Sequence, residues 1–376
     1  SSDVCSSDLT QRKRRKGRGG RPLDDIVRTR TVWAEPNGPQ RADGCRAKHE
    51  NQNKPGENMT ESNESERTPA TVLDTTVLDA PRARTAALDA GYASVHLFDS
   101  VDSTTTRARE LLMNGTDADR ESLGELSVFS TLYQSDGRGR LARPWTAPPG
   151  ACLATSIVVR PHASTEPGTR ELPEDSYHWL TLVAGLSVVD IWRHYGAEAH
   201  LKWPNDVIAN GAKGCGVLAQ LVPESGANEG LRSIIVGIGQ NTNMTAGQLP
   251  VPTATSLLLC TGRTVDSTEV LERLLIAFAR RYRAFLRAGG DPEAADPLTG
   301  APSLLDAARA VCSTLGAEVA MSLPDGSVVR GVAEDMDAQG RILIRREDGT
   351  LAPYAVGDIE HLRPANGSYG DFRPAH

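Results

Sequence analysis

The order of elements in this chain predicts an α+β fold, a mixed sheet with helices followed by a small antiparallel barrel. Three observations carry that expectation. Strand-like and helical stretches interleave between about residues 94 and 288 without regular β-α alternation, which disfavours a doubly wound sheet. Residues 152–160 and 231–238 are short β-branched runs of the kind buried strands use. From about Leu315 the texture changes to short strands separated by P-D-G, A-Q-G and E-D-G turns.

Composition sets the outer bounds. The chain has 376 residues, 39% hydrophobic and 24% charged, enough for a sizeable core and two or three domains. A net charge of −7 argues against the whole molecule being an electrostatic nucleic-acid binder. The six cysteines (Cys5, Cys45, Cys152, Cys215, Cys260, Cys312) form no C-x-x-C pair, which disfavours a zinc site or disulfide framework and suits a reducing cytoplasm. No apolar run approaches the roughly 18 residues of a membrane span, and the N-terminus lacks a signal peptide's apolar stretch. The expectation is a cytoplasmic protein without membrane contact.

Residues 1–92 read as a disordered or foreign extension. They open on Ser, carry the basic run Arg12 to Arg21, and continue into a polar Asn-, Glu-, Ser- and Thr-rich stretch too poor in apolar surface to fold. Met59 is the first methionine and a candidate start. Folding is expected to begin near Ala93. Residues 94–98 read as a strand, and D-S-V-D-S-T-T-T starts a helix through Met113, with Ser103 or Thr104 as N-cap and Gly115 closing it.

The strand of residues 126–133 then empties into Q-S-D-G-R-G-R-L-A-R-P-W at Gln134 to Trp145. Glycines let backbone N–H groups approach a ligand, and arginines add planar, permanently charged donors for phosphate or carboxylate oxygens. This loop is suited to holding an anion. Downstream, residues 176–195 have helical spacing. K-W-P-N-D at Lys202 to Asp206 forms a turn that presents Asn205 and Asp206, and Lys213 opens the strand K-G-C-G-V-L-A-Q-L-V. Residues 231–238 lead into V-G-I-G-Q-N-T-N, and residues 265–288 form a strongly amphipathic helix. The expected boundaries are 93–312 for the main α+β domain, 313–366 for the barrel and 367–376 for a tail.

Four motifs in this order, D-S-T, Q-x-x-G-R-G-R-x-x-R-x-W, K-W-P-N-D with K-x-x-G-V-L, and V-G-I-G-x-N-x-N, resemble those of the biotin–protein ligases. The resemblance spans about residues 94–364 and implies a mixed-sheet biotin/lipoate-ligase-like catalytic domain followed by an SH3-like barrel. It is to the short class without an N-terminal DNA-binding domain, so DNA binding is not expected. The implied reaction joins biotin and ATP into biotinyl-5′-AMP, then passes biotin to a lysine on the biotin carboxyl carrier domain of an acetyl-CoA or acyl-CoA carboxylase.

By the same resemblance Ser103, Thr104, Gln134 and Gly137 belong to the biotin site, and Val217 and Leu218 are candidates for the slot of its valeryl chain. Arg138 and Lys213 stand by the biotin carboxylate and the α-phosphate. Arg140 and Arg143 neutralise the remaining phosphates with Mg²⁺, whose ligands the sequence does not identify, and Asn241 matches the adenine contact. Asp206 is either a proton acceptor for the carrier lysine or a former of its own turn. Trp145 and Trp203 read as packing anchors, and Gly237 and Gly239 as strand-packing or site residues. The chain departs from the family pattern at Thr105, where Asn is usual, and at Leu141, Ala142, Cys152, Ala154 and Gln240. The rivals are a lipoate–protein ligase, whose dithiolane has less to bond with Ser103, Thr104 and Gln134, a biotin-responsive regulator, and a nucleic-acid binder using Arg12 to Arg21.

Overall fold

The computed structural model describes residues 77–165, 172–355 and 357–361. The basic run at Arg12 to Arg21, Met59 and the expected tail at 367–376 lie outside the described residues, as does the end of the expected barrel. Among the described residues, no helix is long and apolar enough to cross a membrane.

Seven strands form one mixed sheet in the order β1-β2-β3-β7-β6-β5-β4. They are β1 (Ser94–Phe98), β2 (Leu126–Thr131), β3 (Cys152–Val159), β4 (Ala199–Lys202), β5 (Asp206–Ala209), β6 (Ala212–Pro223) and β7 (Arg232–Asn241). Only β1 and β2 run parallel, and the other neighbours are antiparallel. Strands β2 and β3 are fully buried, and α4 (Trp179–His194) packs on β4 to β7, its apolar residues surrounding its axis because it is covered on nearly every side. Helix α6 (Ser267–Arg287), capped by Asp266, lays one apolar face against α4.

The fold begins earlier than residue 93. Ala80–Asp89 form a helix, α1, with Asp79 accepting from the Arg82 amide at its start. Ala83 and Ala87 are fully buried, one turn apart, where α1 packs on α6. Arg82 pairs with Asp266 at 2.8 Å and with Glu272 at 2.9 Å. The contact face is made of alanines, so the segment carries no large-apolar periodicity to betray it. The short helices α3 (Asp117–Ser122), α5 (Leu257–Thr261) and α7 (Leu304–Arg309) also went unforeseen. Helix α2 (Thr104–Asn114) starts on Ser103 as expected and stops at Gly115.

A second, antiparallel sheet runs β11-β10-β9-β8-β12. Its strands are β8 (Glu318–Ser322), β9 (Val328–Met336), β10 (Ile342–Arg346), β11 (Leu351–Tyr354) and β12 (Asp358–His361). The last pairs with β8 and lacks the apolar alternation that reveals the other four. The Nε1 groups of Trp179 and Trp203 donate to the carbonyls of Ala338 (3.1 Å) and Gly340 (2.9 Å), pinning the β9–β10 turn to α4 and to the β4–β5 turn of the large sheet. Trp203 is thus a packing anchor, as the sequence suggests.

Candidate active site

A cleft of about 540 Å³ opens at the end of the large sheet where β3 and β6 begin and β7 finishes. Its other walls are the first turn of α2, the glycine–arginine loop, the K-W-P-N-D turn and residues 250–254. That volume suits a drug-sized ligand.

Ser103 adopts the extended backbone of an N-cap, and its Oγ accepts from the Thr106 amide at 3.4 Å. Gln134, just beyond β2, turns its Oε1 onto the same helix start, accepting from the Thr104 amide (2.8 Å) and hydroxyl (3.0 Å). Thr104 continues to Ser156 Oγ at 2.8 Å, and Ser156 to Thr105 Oγ1 at 2.9 Å. Thr104 and Gln134 are therefore bonded to each other, with Ser103 beside them as the helix cap, and the network runs on through Ser156, which the sequence reading missed, to Thr105, noted there only as a departure from the family pattern. Ser156 had left a signal: it is a polar residue within the buried run C-L-A-T-S-I-V-V.

The glycine–arginine loop folds back on itself. The Trp145 amide donates to the Gly137 carbonyl at 2.9 Å, and Gly139 donates to Arg143 at 2.8 Å. A side chain at Gly137 would put its Cβ 2.4 Å from the Trp145 carbonyl, so the crossing demands glycine. The indole of Trp145 then lies on β7. A Cβ at Gly239 would sit 2.7 Å from the ring, which gives that glycine of V-G-I-G a definite task beyond strand packing. Trp145 Nε1 donates to Cys152 Sγ at 3.3 Å. Burial raises the Cys152 thiol to about 11, against the lowering effect of that bond, so it stays protonated and is no nucleophile.

Lys213 stands at a bulge. Pairing steps from Val207–Cys215 to Ile208–Lys213 and leaves Gly214 unpaired on β5, which re-aims the lysine. Its Nζ is 2.7 Å from Asp206 Oδ1 and 5.6 Å from the centroid of the Trp145 ring, within cation–π range. Arg138 pairs with Asp136 at 2.7 Å, with both side chains more than half exposed. Arg140 donates to Asn205 Oδ1 at 3.0 Å and to the Gly357 carbonyl at 3.2 Å, tying the loop to the second sheet. Arg138, Arg140, Arg143 and Lys213 all line the cleft, with Asp206 the one carboxylate among its described lining residues. Four cationic side chains and one carboxylate line the cleft, a balance suited to phosphate and carboxylate ligands.

At the far wall Asn241 Nδ2 donates to the Thr255 carbonyl at 2.9 Å. Its Oδ1 is buried without a partner among the described residues. An acceptor left this way invites a ligand N–H. Val217, Leu218 and Ile238 line an apolar part of the same cleft. No group of three His, Cys, Asp or Glu among the described residues could hold a metal ion.

Residues 97–241 match the biotin/lipoate A/B protein ligase family, and residues 314–362 match the biotin protein ligase C-terminal domain. The chain is 32% identical over 240 residues to a biotin–[acetyl-CoA-carboxylase] ligase of Mycobacterium tuberculosis, a span that covers 63% of this chain and 79% of that protein. It is also 32% identical over 198 residues to the bifunctional ligase/repressor BirA of Bacillus spizizenii, here covering 52% of this chain and 55% of that relative. Among solved structures, a biotin protein ligase from Aquifex aeolicus in complex with biotin and ATP superposes with a TM-score of 0.54 at 25% identity, covering 72% of this chain and 99% of that one. On the sheet, the second sheet and these matches together, the chain belongs to the biotin–protein ligases of the biotin/lipoate A/B protein ligase family.

Proposed function

We propose that the chain activates biotin with ATP and transfers it to a lysine of a biotin carboxyl carrier domain of an acetyl-CoA or acyl-CoA carboxylase. The observation that carries this reading is a single cleft combining four cationic side chains, an apolar slot and a hydrogen-bonding polar wall.

In the first step a biotin carboxylate oxygen attacks the α-phosphorus of ATP. A new P–O bond forms, and the bond to the bridging oxygen breaks with pyrophosphate taking the electron pair. The carboxylate is already ionised near neutral pH, so the step needs no general base. It needs two anions brought together, and that calls for positive charge and alignment. Lys213 and Arg138 suit the carboxylate and α-phosphate, with Arg138 exchanging the exposed carboxylate of Asp136 for the ligand. Arg140 and Arg143 suit the outgoing phosphates. Asn241 would accept from the adenine amino group through its unpartnered Oδ1, and Gly137 lets the loop close over the biotin end. The described side chains form no cage for Mg²⁺, so the ion would travel with the nucleotide's phosphates and water.

In the second step the carrier's amine attacks the acyl carbon, AMP departs, and one proton must leave the nitrogen. Free lysine amines titrate near 10.4, so an acceptor would help. Asp206 is the cleft's only described carboxylate, but Lys213 holds it at 2.7 Å. It can accept that proton only by loosening the pair. If Asp206→Asn transfers biotin from preformed biotinyl-AMP at the wild-type rate, Asp206 serves the turn alone.

The whole reading is tested by incubating the protein with ATP, Mg²⁺, biotin and a carrier domain, then weighing the carrier. Biotin should also drive ATP–pyrophosphate exchange well above lipoate, whose dithiolane cannot satisfy the polar wall. A carrier of unchanged mass and no biotin-dependent exchange would overturn it.

A further inference from the structure

The aim of Lys213 depends on one extra residue. Along a regular strand, positions two apart share a face, so Lys213 should point the same way as Cys215. It does not. Cys215 is fully buried, while the Lys213 side chain lines the cleft and is partly exposed. The bulge at Gly214 makes the difference. One flank of that bulge is pinned by backbone, the Lys213 amide donating to the Thr253 carbonyl and the Thr255 amide to the Lys213 carbonyl, both at 2.8 Å. The other flank rests on the fully buried Trp192 of α4. A Cβ at Gly214 would fall 2.0 Å from Cη2 of that indole, so ring and bulge fill one space and neither shifts without the other.

The indole is itself tethered. Trp192 Nε1 can only donate, so the Gln240 atom 3.0 Å away is the amide oxygen. Gln240 is fully buried on β7, directly opposite Cys215 and so on the face that α4 covers. Its Nε2 is buried with no hydrogen-bond partner among the described residues. A buried N–H group left this way costs stability, and an apolar side chain of the same length would avoid that cost. The residue that bears it is one at which the chain departs from the family pattern. We propose that Gln240 is a positioning residue: by tethering Trp192 it holds the Gly214 bulge and so keeps the Lys213 ammonium aimed into the cleft. The inference rests on the ligase reading above, in which Lys213 faces the reacting anions.

The test uses Gln240→Met, which keeps length and volume and removes the acceptor, beside Trp192→Phe and the double variant. In biotin-dependent pyrophosphate exchange Gln240→Met should lower kcat about tenfold, the scale of a small misplacement at a reacting centre. Its KM for ATP should stay within about twofold of wild type. Its urea midpoint should be no lower than that of wild type, where a merely structural role would lower it. Trp192→Phe should lower kcat similarly and the double variant no further, because both act through one contact. Unchanged kcat in Gln240→Met, a lowered urea midpoint, or losses that multiply in the double variant would each overturn the proposal. If Trp192→Phe does not fold, Gln240→Met is set in the Lys213→Ala background, where it should cost nothing more, and a further loss there overturns the proposal. Labelling with acetic anhydride needs no turnover. Lys202 and Lys213 are the two lysines among the described residues, so Lys202 serves as the internal reference. Gln240→Met should raise acetylation of Lys213 severalfold relative to Lys202, because the amine is no longer held against Asp206, and an unchanged ratio overturns the proposal. Wild-type protein without biotin-dependent exchange would instead sink the ligase reading, and the labelling ratio would still decide the role of Gln240.

Discussion

The central strands of the large sheet carry an ion pair at each end, and the two pairs behave as opposites. At the cleft end, the second residue of β6 is Lys213, held by Asp206 with both side chains partly exposed (38% and 20%). At the other end, the residue after β6 is Glu224 and the residue after β3 is Arg160, with side chains 0% and 4% exposed. Arg160 meets Glu224 through two bonds, at 2.7 and 2.8 Å, and its remaining nitrogen donates to the carbonyls of Arg120 and Gly124. The Ser233 hydroxyl also donates to Glu224, and His162 Nε2 lies 3.2 Å from it. One pair is saturated by protein and locks strand ends together. The other is left with water-facing capacity that an anionic substrate can take over. Ion pairs of similar chemistry are turned to stability or to binding by how completely their partners are supplied.

The largest effect expected is at the closed end. Glu224→Gln strands a buried guanidinium and should cost about 3–5 kcal/mol in denaturant unfolding, the usual penalty for breaking a buried pair. Biotin-driven exchange should persist wherever the variant remains folded. Lys213→Ala should reverse that pattern. Loss of one preorganised charge-stabilising group lowers turnover by about 10²–10³-fold, while a partly exposed pair contributes no more than about 1 kcal/mol to stability. If Lys213→Ala unfolds the protein, or Glu224→Gln selectively abolishes turnover, the division between the two ends is wrong.

Gly239→Ala lies between these extremes, because the new methyl must displace the Trp145 indole. Overpacking of this kind costs about 1–3 kcal/mol, and here it should appear partly as weakened nucleotide binding, seen as a raised KM for ATP. Acid sharpens the contrast further. Burial pushes the Glu224 carboxyl up, but bonds from Arg160, His162 and Ser233 outweigh it and hold the group well below the usual carboxylate range. A carboxyl depressed in the folded state stabilises fully above its unfolded pKa, about 4.3, and that stabilisation fades as pH falls below it. The stability gap between wild type and Glu224→Gln should therefore shrink between about pH 5 and pH 3, as read from denaturant midpoints. The smallest effect should come from salt. Raising NaCl to about 1 M contracts the screening length to about 3 Å, which should weaken nucleotide binding at the open end and barely move the unfolding midpoint.

Much of this was legible in the residues. Strand-like runs, two of them β-branched, marked five strands of the large sheet near their observed bounds, and D-S-T, G-R-G-R, K-W-P-N-D and V-G-I-G marked the cleft walls because each is a local device: a cap, a tight loop, a turn, a close backbone approach. Helix α1 escaped because its buried face is alanine, and β12 because four residues with two acids carry little strand signal. Thr105 and Ser156 are 51 positions apart, and Arg160 and Glu224 are 64 apart, so no window along the chain contains either contact.

The sequence by itself determined the secondary-structure texture, the reaction class its motifs resemble, and the set of cations, hydroxyls and glycines available to perform it. Only the tertiary structure decided which of them face one another: Lys213 with Asp206 across a bulge, Trp145 on Gly239, Thr105 on Ser156, Arg160 sealed onto Glu224. The physical reason is that composition and spacing govern what a residue can do. Strand register and burial govern which partner is within 3 Å, and hence whether a charge is spent on holding the fold or kept for a substrate.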